Sequence, residues 1–138
     1  MRHHRVLRII SKLLIPFIML FALYVQFHGD FGPGGGFQAG VIFASAFILY
    51  GLIFGVENAR NVAPPSIVTK LVAAGIIIYA GTGYAGLFGG GNFLDYGALA
   101  SDPVAGQHLG ILIIEFGVGT TVAASMITIF FLFAGRKQ

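Results

Sequence analysis

The sequence predicts an all-α membrane protein, a bundle of four transmembrane helices with both termini in the cytoplasm. Hydrophobic residues make up 57% of the 138 positions and charged residues only 9%, which leaves too little polar surface for a water-soluble domain. Four apolar runs are each long enough to cross a hydrocarbon layer of about 30 Å. We therefore expect one integral membrane domain over residues 1–138, with helices at about 7–27, 37–56, 67–88 and 109–134.

Composition also excludes several kinds of chemistry. The chain has no cysteine, so it can form no disulfide, iron–sulfur cluster or thiolate zinc site. The sequence contains no Ser/His/Asp set and no paired carboxylates, and we expect no catalytic activity of its own, no cofactor and no metal site. A net charge of +3 would suggest nucleic acid binding in a soluble protein. Here the membrane orientation of the helices explains where the basic residues lie, and we expect no nucleic acid partner.

The first helix is preceded by a basic tail with Arg2, Arg5, Arg8 and Lys12, followed by an apolar run over 13–27. A secretory signal peptide begins in the same way, but no small-residue cleavage site follows the run. We therefore interpret it as a retained membrane span.

The second helix carries Gly51 and Gly55 four residues apart, a spacing that lets another helix approach closely. A polar stretch follows, and then the pair Pro64 and Pro65, which should end any helix before it. Ser66 is well placed to cap the third helix.

The segment 89–107 is polar enough to leave the bilayer but keeps several aromatic and aliphatic residues, which predicts a packed surface loop with a short interfacial helix. The last apolar run, 109–134, is longer than a bilayer requires. At about 1.5 Å per residue, this helix must tilt or project from the membrane.

Orientation follows from the basic residues. All eight Lys and Arg lie in the N-terminal tail, around the connection between the second and third helices, or in the C-terminal tail. A four-helix topology puts these three regions on one side of the membrane. The positive-inside rule therefore predicts that both termini are cytoplasmic.

The most unusual segment is the connection between the first two helices, residues 28–40, which holds six glycines and a proline. Glycine reaches positive φ and proline fixes its own φ, so the segment predicts one specific tight turn that leads directly into a helix. Its motif residues are Pro33, Gly34, Gly35, Gly36, Phe37 and Gly40.

This turn motif, with His28 and Asp30 just before it, resembles the signature of the MnhB/MrpB family, small membrane subunits of the multisubunit Mrp-type cation/proton antiporter. The resemblance extends over nearly the whole chain, and in the last helix it includes the run Glu115-Phe116-Gly117-Val118. It implies an accessory subunit in the bacterial cytoplasmic membrane that helps to form or line a cation path, with other membrane subunits as partners and Na⁺ and H⁺ as the transported ions.

Glu115 is the principal candidate for a role in that path. It lies about six residues into the predicted last helix, where an ionisable side chain is costly and is by default a functional candidate. The alternative is a carboxyl that only makes a structural hydrogen bond across a helix interface. Gly119, one turn further on, would allow a neighbouring helix to shield the carboxyl.

His28 and Asp30 are further candidates, either for a proton relay or cation mouth or for a structural role in the turn, as acids often have there. Gly81, Gly83 and Gly86 match the spacing of a dinucleotide fingerprint, but they lie in an apolar span, where helix packing explains them better.

Three other functions stay open at this point. One is the homologous subunit of a membrane-bound hydrogenase or related respiratory complex. Another is a purely structural assembly subunit. The third, a small multidrug exporter, also has four short helices and one membrane glutamate, but that family has its glutamate in the first helix, whereas the first span here has none.

Overall fold

The computed structural model describes residues 4–29 and 31–136, and within these ranges the chain is helical and contains no strand. Four helices are long and apolar enough to cross a membrane, as the sequence predicts. The helices are α1 Arg5–His28, α2 Gly36–Phe54, the short α3 Val56–Val62, α4 Pro65–Phe88 and α5 Pro103–Ala134, with a 3-10 helix at Tyr96–Leu99.

Helix α5 is the centre of the bundle. Helices α2 and α4 pack along it, and α1 packs mainly on α2. At the end away from the glycine turn, a core cluster joins α2, α3, α4 and α5 and consists of Ala44, Phe47, Ala59, Val68, Ala124, Ile127 and Phe131. The outward faces of the long helices stay apolar and exposed, as lipid or partner helices would require.

Small residues bring α4 and α5 together. A Cβ on Gly75 would lie 2.6 Å from the Gly117 carbonyl oxygen and would also collide with the Thr121 hydroxyl. The Thr121 hydroxyl itself donates to the Gly117 carbonyl at 3.0 Å. The two backbones can approach this closely only because no side chain stands between them.

The connection from α2 to α4 differs in part from the sequence-based expectation. Gly51 does allow close packing, against the Phe130 ring, but Gly55 has a φ of +103° and ends α2. Ser66 does not cap α4, because the helix begins one residue earlier, at Pro65. Proline suits the first helical position, since its missing N–H would have no partner there.

Arg60 of α3 closes this end of the bundle. Its Nη2 donates to the Phe131 carbonyl at 3.2 Å, and its guanidinium carbon lies 5.7 Å from the centre of the Phe131 ring. The cation therefore satisfies one of the last carbonyls of α5 and complements the negative end of that helix dipole.

At the opposite end, α5 begins at Pro103, six residues before the predicted start at 109. The Asp102 side chain accepts from the Val104 N–H at 3.3 Å and caps the helix, with Pro103 at its first position. This cap adds nearly two turns to a helix of 32 residues, about 48 Å long at 1.5 Å per residue.

The loop before α5 folds onto both neighbouring helices. Gly83 lies against the Phe93 ring, and Gly106 and Gly110 lie against Tyr96 of the 3-10 helix. The predicted short helix in this loop is therefore present, and Gly83 is a packing residue, as expected. The α4–α5 hairpin extends well past the glycine turn that joins α1 to α2.

Candidate functional site at the glycine turn

The glycine turn folds back onto the end of α1. The Phe31 N–H donates to the His28 carbonyl at 3.0 Å, and the Gly35 N–H donates to the Val25 carbonyl at 3.3 Å. Gly35 has a φ of +123°, a conformation that residues with a side chain rarely adopt. The predicted specific turn is therefore formed, and it delivers the chain into α2 at Gly36.

The carboxyl group of Glu115 lies directly against this turn. A Cβ on Gly29 would be 2.8 Å from both carboxylate oxygens, and a Cβ on Gly35 would be 3.1 Å from Oε1. Both glycines therefore let the carboxyl lie close to the turn, because a side chain at either position would push against it. The turn and the acid, which are 80 or more positions apart in sequence, thus form one site.

The register of α2 against α5 brings the glycine turn and the Glu115 carboxyl together. Gly36 lies on the Glu115 backbone carbonyl, and one turn later a Cβ on Gly40 would be 2.7 Å from the Gly119 carbonyl oxygen. Val122 fills the next position of the same seam. The prediction that a helix packs close to α5 at Gly119 is confirmed, and the helix is α2.

The start of α2 also shapes the electrostatics of the site. Gly36 is the first residue of this helix, whose opening N–H groups have no partner within the helix. The positive end of the helix dipole therefore lies beside the Glu115 carboxylate, an effect worth about 0.3–1 kcal/mol in exposed cases. It offsets part of the cost of holding a negative charge within the bundle.

Glu115 lies further from the start of α5 than the sequence suggests. It is twelve residues from the start of α5 at Pro103, or about 18 Å along the helix at 1.5 Å per residue. Since Gly36 is level with Glu115, the glycine turn is recessed by this distance below the tip of the α4–α5 hairpin. The carboxyl therefore lies at the base of the part of the α4–α5 hairpin that extends beyond the glycine turn.

The other residues predicted for the site lie around the turn, some packed and some exposed. His28 is half-buried and stacks on Tyr24, with 5.0 Å between ring centres, while the Phe31 ring lies at 6.1 Å and is tilted by 43°. Gly34 lies against the Val25 carbonyl, whereas Pro33 is exposed and Phe37 is 60% exposed. Asp30 lies outside the described residues.

Gln26 was missed by the sequence reasoning and belongs to the same junction. It is 6% exposed, and its side chain lies against Gly119, one turn beyond Glu115. The available signal was its isolation, since it is the one amide in the apolar run 13–27 of α1. A lone amide in a membrane span needs a partner, so it could have been a candidate on the same grounds as Glu115.

Among the residues that the structure describes, the glycine-turn site contains one carboxyl, that of Glu115. Among the described residues, no group of three or more His, Asp or Glu side chains could hold a metal ion. A carboxyl group can exchange a proton with its surroundings, or attract a monovalent cation through its charge and its oxygen ligands.

The family model and the similar proteins all indicate the same family. Residues 6–128 match the model of a domain related to the MnhB subunit of Na⁺/H⁺ antiporter. A protein of Staphylococcus haemolyticus (strain JCSC1435) that bears the name antiporter subunit mnhB2 is 37% identical over 136 residues, 96% of each chain. Its namesake in Staphylococcus aureus (strain Newman) is 35% identical over the same share of each chain.

Proposed function

Because the chain belongs to the MnhB family of Na⁺/H⁺ antiporter subunits, we propose that its Glu115 site forms part of the cation or proton path of such an antiporter. The chain is an accessory subunit of a multisubunit Na⁺/H⁺ antiporter. The family match and the similarity to the Staphylococcus proteins cover nearly the whole chain, so the assignment does not rest on one short motif.

The observation that carries the proposal is the Glu115 carboxyl held against Gly29 and Gly35. Two backbone segments without side chains leave the acid next to polar peptide groups rather than hydrocarbon. Polar peptide groups beside an ionised carboxyl offset part of the cost of removing it from water. A carboxyl that changes its charge within a membrane protein is suited to exchange a proton against a cation.

The subunit acts with partners and catalyses no reaction itself. Glu115 is the one acid within its four long helices, and a complete exchanger needs sites for both ions. Other membrane subunits of the complex supply the remaining path and cover the exposed apolar faces. The surrounding lipid bilayer covers the rest.

In this proposal the subunit is a multi-pass protein of the bacterial cytoplasmic membrane with both termini in the cytoplasm. The basic residues near α1, α3 and the C-terminal end support this orientation. The recessed glycine turn then faces the outside, and the α4–α5 hairpin projects beyond it.

Purification through a tag on this chain, in a gentle detergent, tests the assignment. We expect the other subunits of a cation/proton antiporter to co-purify, and deletion of this chain to abolish Na⁺/H⁺ exchange in membrane vesicles. Co-purification of hydrogenase or respiratory subunits would instead support the related respiratory complex. A monodisperse monomer that exchanges Na⁺ for H⁺ in liposomes would contradict the accessory role.

A further inference from the structure

Gln26 of α1 carries a buried donor that has no acceptor. Its side chain is 6% exposed, and its Nε2 atom is inaccessible to solvent and has no hydrogen-bond partner among the described residues. A buried polar group left unpaired costs about 1–3 kcal/mol, whereas a methionine or leucine would fill the same space without that cost. Such a group calls for an explanation beyond packing.

Gln26 lies close to two neighbours of Glu115. Its Oε1 lies against Gly119, where a Cβ would be 2.5 Å away, and Gly119 is one helical turn from Glu115 on the same face of α5. The residue before it, Val25, accepts from the N–H of Gly35, the glycine that touches the carboxyl. Gln26 is thus held at the inner side of the same junction.

On its other side, Gln26 lines a lateral cavity of about 440 Å³ between the long helices. The walls are otherwise almost entirely apolar, and the Thr120 hydroxyl in that wall is already committed to the Phe116 carbonyl at 2.9 Å. Among the described residues that line the cavity, Gln26 is therefore the side chain with an uncommitted polar hydrogen.

We propose that Gln26 is a positioning residue for Glu115, an inference that rests on the proposed function of that carboxyl. The torsion that turns a terminal amide is broad, so Gln26 can present either of its polar atoms to the same neighbour. Its Nε2 has no partner in the part of the chain that the structure describes, and a change of side-chain rotamer would let this N–H donate to the ionised Glu115 carboxylate. With the amide turned over, Oε1 would accept from the protonated carboxylic acid or join Glu115 as an oxygen ligand of Na⁺.

The test is Na⁺/H⁺ exchange in vesicles that contain the whole complex with Gln26→Met or Gln26→Glu. Methionine keeps the length of the side chain but removes the amide, and we expect at least a threefold rise in the apparent KM for Na⁺ with a normal amount of complex. Glutamate adds a second acid one helical turn from Glu115, and we expect it to displace the pH optimum of exchange. The matched control is Ser11→Ala, a polar side chain 4% exposed on the packing face of α1, far from Glu115, which should change neither quantity.

A double variant separates this inference from the function on which it rests. If Gln26 acts through Glu115, Gln26→Met should add no further change in KM or pH optimum to Glu115→Gln. Additive effects would overturn the positioning role, as would a wild-type KM for Gln26→Met or a wild-type pH optimum for assembled Gln26→Glu. If Glu115→Gln alone exchanges normally, the proposed function fails, independently of Gln26.

Discussion

Gly36 allows the first turn of α2 to rest on the Glu115 carbonyl, and a side chain there would force the helices apart. We expect Gly36→Ala to destabilise the subunit by roughly 1–3 kcal/mol, the usual range for overpacking, and to reduce the amount of assembled complex. The matched control is Gly81→Ala in α4, where an added Cβ would meet nothing within 4 Å. Normal assembly of Gly36→Ala would mean that α2 and α5 are not packed as described.

Gly35 combines a positive φ with contact to the carboxyl, and the two effects can be separated. Gly90 also has a positive φ, +87°, but its added Cβ would lie in open space. Strain of about 1–3 kcal/mol should affect Gly35→Val and Gly90→Val alike. We expect only Gly35→Val to lower the exchange activity per assembled complex, because only this change displaces Glu115. Equal activities would remove the reason to regard the turn as part of the site.

Individual residues show how far the sequence could predict this site. An acid in an apolar run stands out, and so does a glycine cluster, so Glu115 and the turn were both identifiable. Their contact was not, because it depends on the register that Gly36 and Gly40 impose between α2 and α5. Gln26 was missed because a single amide in an apolar run carries no motif, and its burial is visible only in the fold.

Among the elements, α3 depends on Arg60 to hold the end of α5. We expect Arg60→Met to lower the free energy of unfolding by about 1–3 kcal/mol, since it removes a charge-assisted hydrogen bond to the Phe131 carbonyl. Thermal unfolding of the purified complex measures the change. Glu57→Gln is the control, because the Glu57 side chain is 87% exposed and its 3.7 Å ion pair with Arg60 should contribute little. A larger effect for Glu57→Gln would contradict the capping role.

The 3-10 helix holds Tyr96 against α5, and burial, together with the electrostatic interaction with Tyr79, raises the pKa of Tyr96 above its usual 10.0. The folded state therefore favours the neutral phenol. This contribution to stability is full below pH 10 and is lost as the pH rises through the folded pKa. We expect absorbance titration to show a late-ionising tyrosine that Tyr96→Phe removes. A late component that persists in Tyr96→Phe would contradict this packing.

The elements also show what the sequence left undetermined. The existence of all four long helices followed from apolar length, and their number is confirmed. The start of α5 was placed too late because Asp102 and Pro103 resemble loop residues, although together they form a helix cap. That shift doubles the distance between Glu115 and the helix start and makes the turn a recessed one.

For the whole molecule, the proposed orientation can be tested with single cysteines, since the chain contains none of its own. Positions 61, 92 and 136 are all exposed. We expect Asn61→Cys and Arg136→Cys to react with an impermeant thiol reagent only from the cytoplasmic side, and Asn92→Cys only from the outside. Labelling of all three from one side would refute the four-span topology.

The function proposed for this subunit requires that the charge of the Glu115 carboxyl takes part in ion exchange. The most direct measurement is the pH profile of Na⁺/H⁺ exchange by the assembled complex with Glu115→Gln, which keeps the shape of the side chain but not its titration. We predict a normal amount of complex with reduced exchange or a displaced pH optimum, partial activity for Glu115→Asp, and for Glu115→Ala a loss at least as large as for Gln. A Gln variant with wild-type rate, wild-type pH optimum and normal assembly would contradict the claim and leave Glu115 as a structural group.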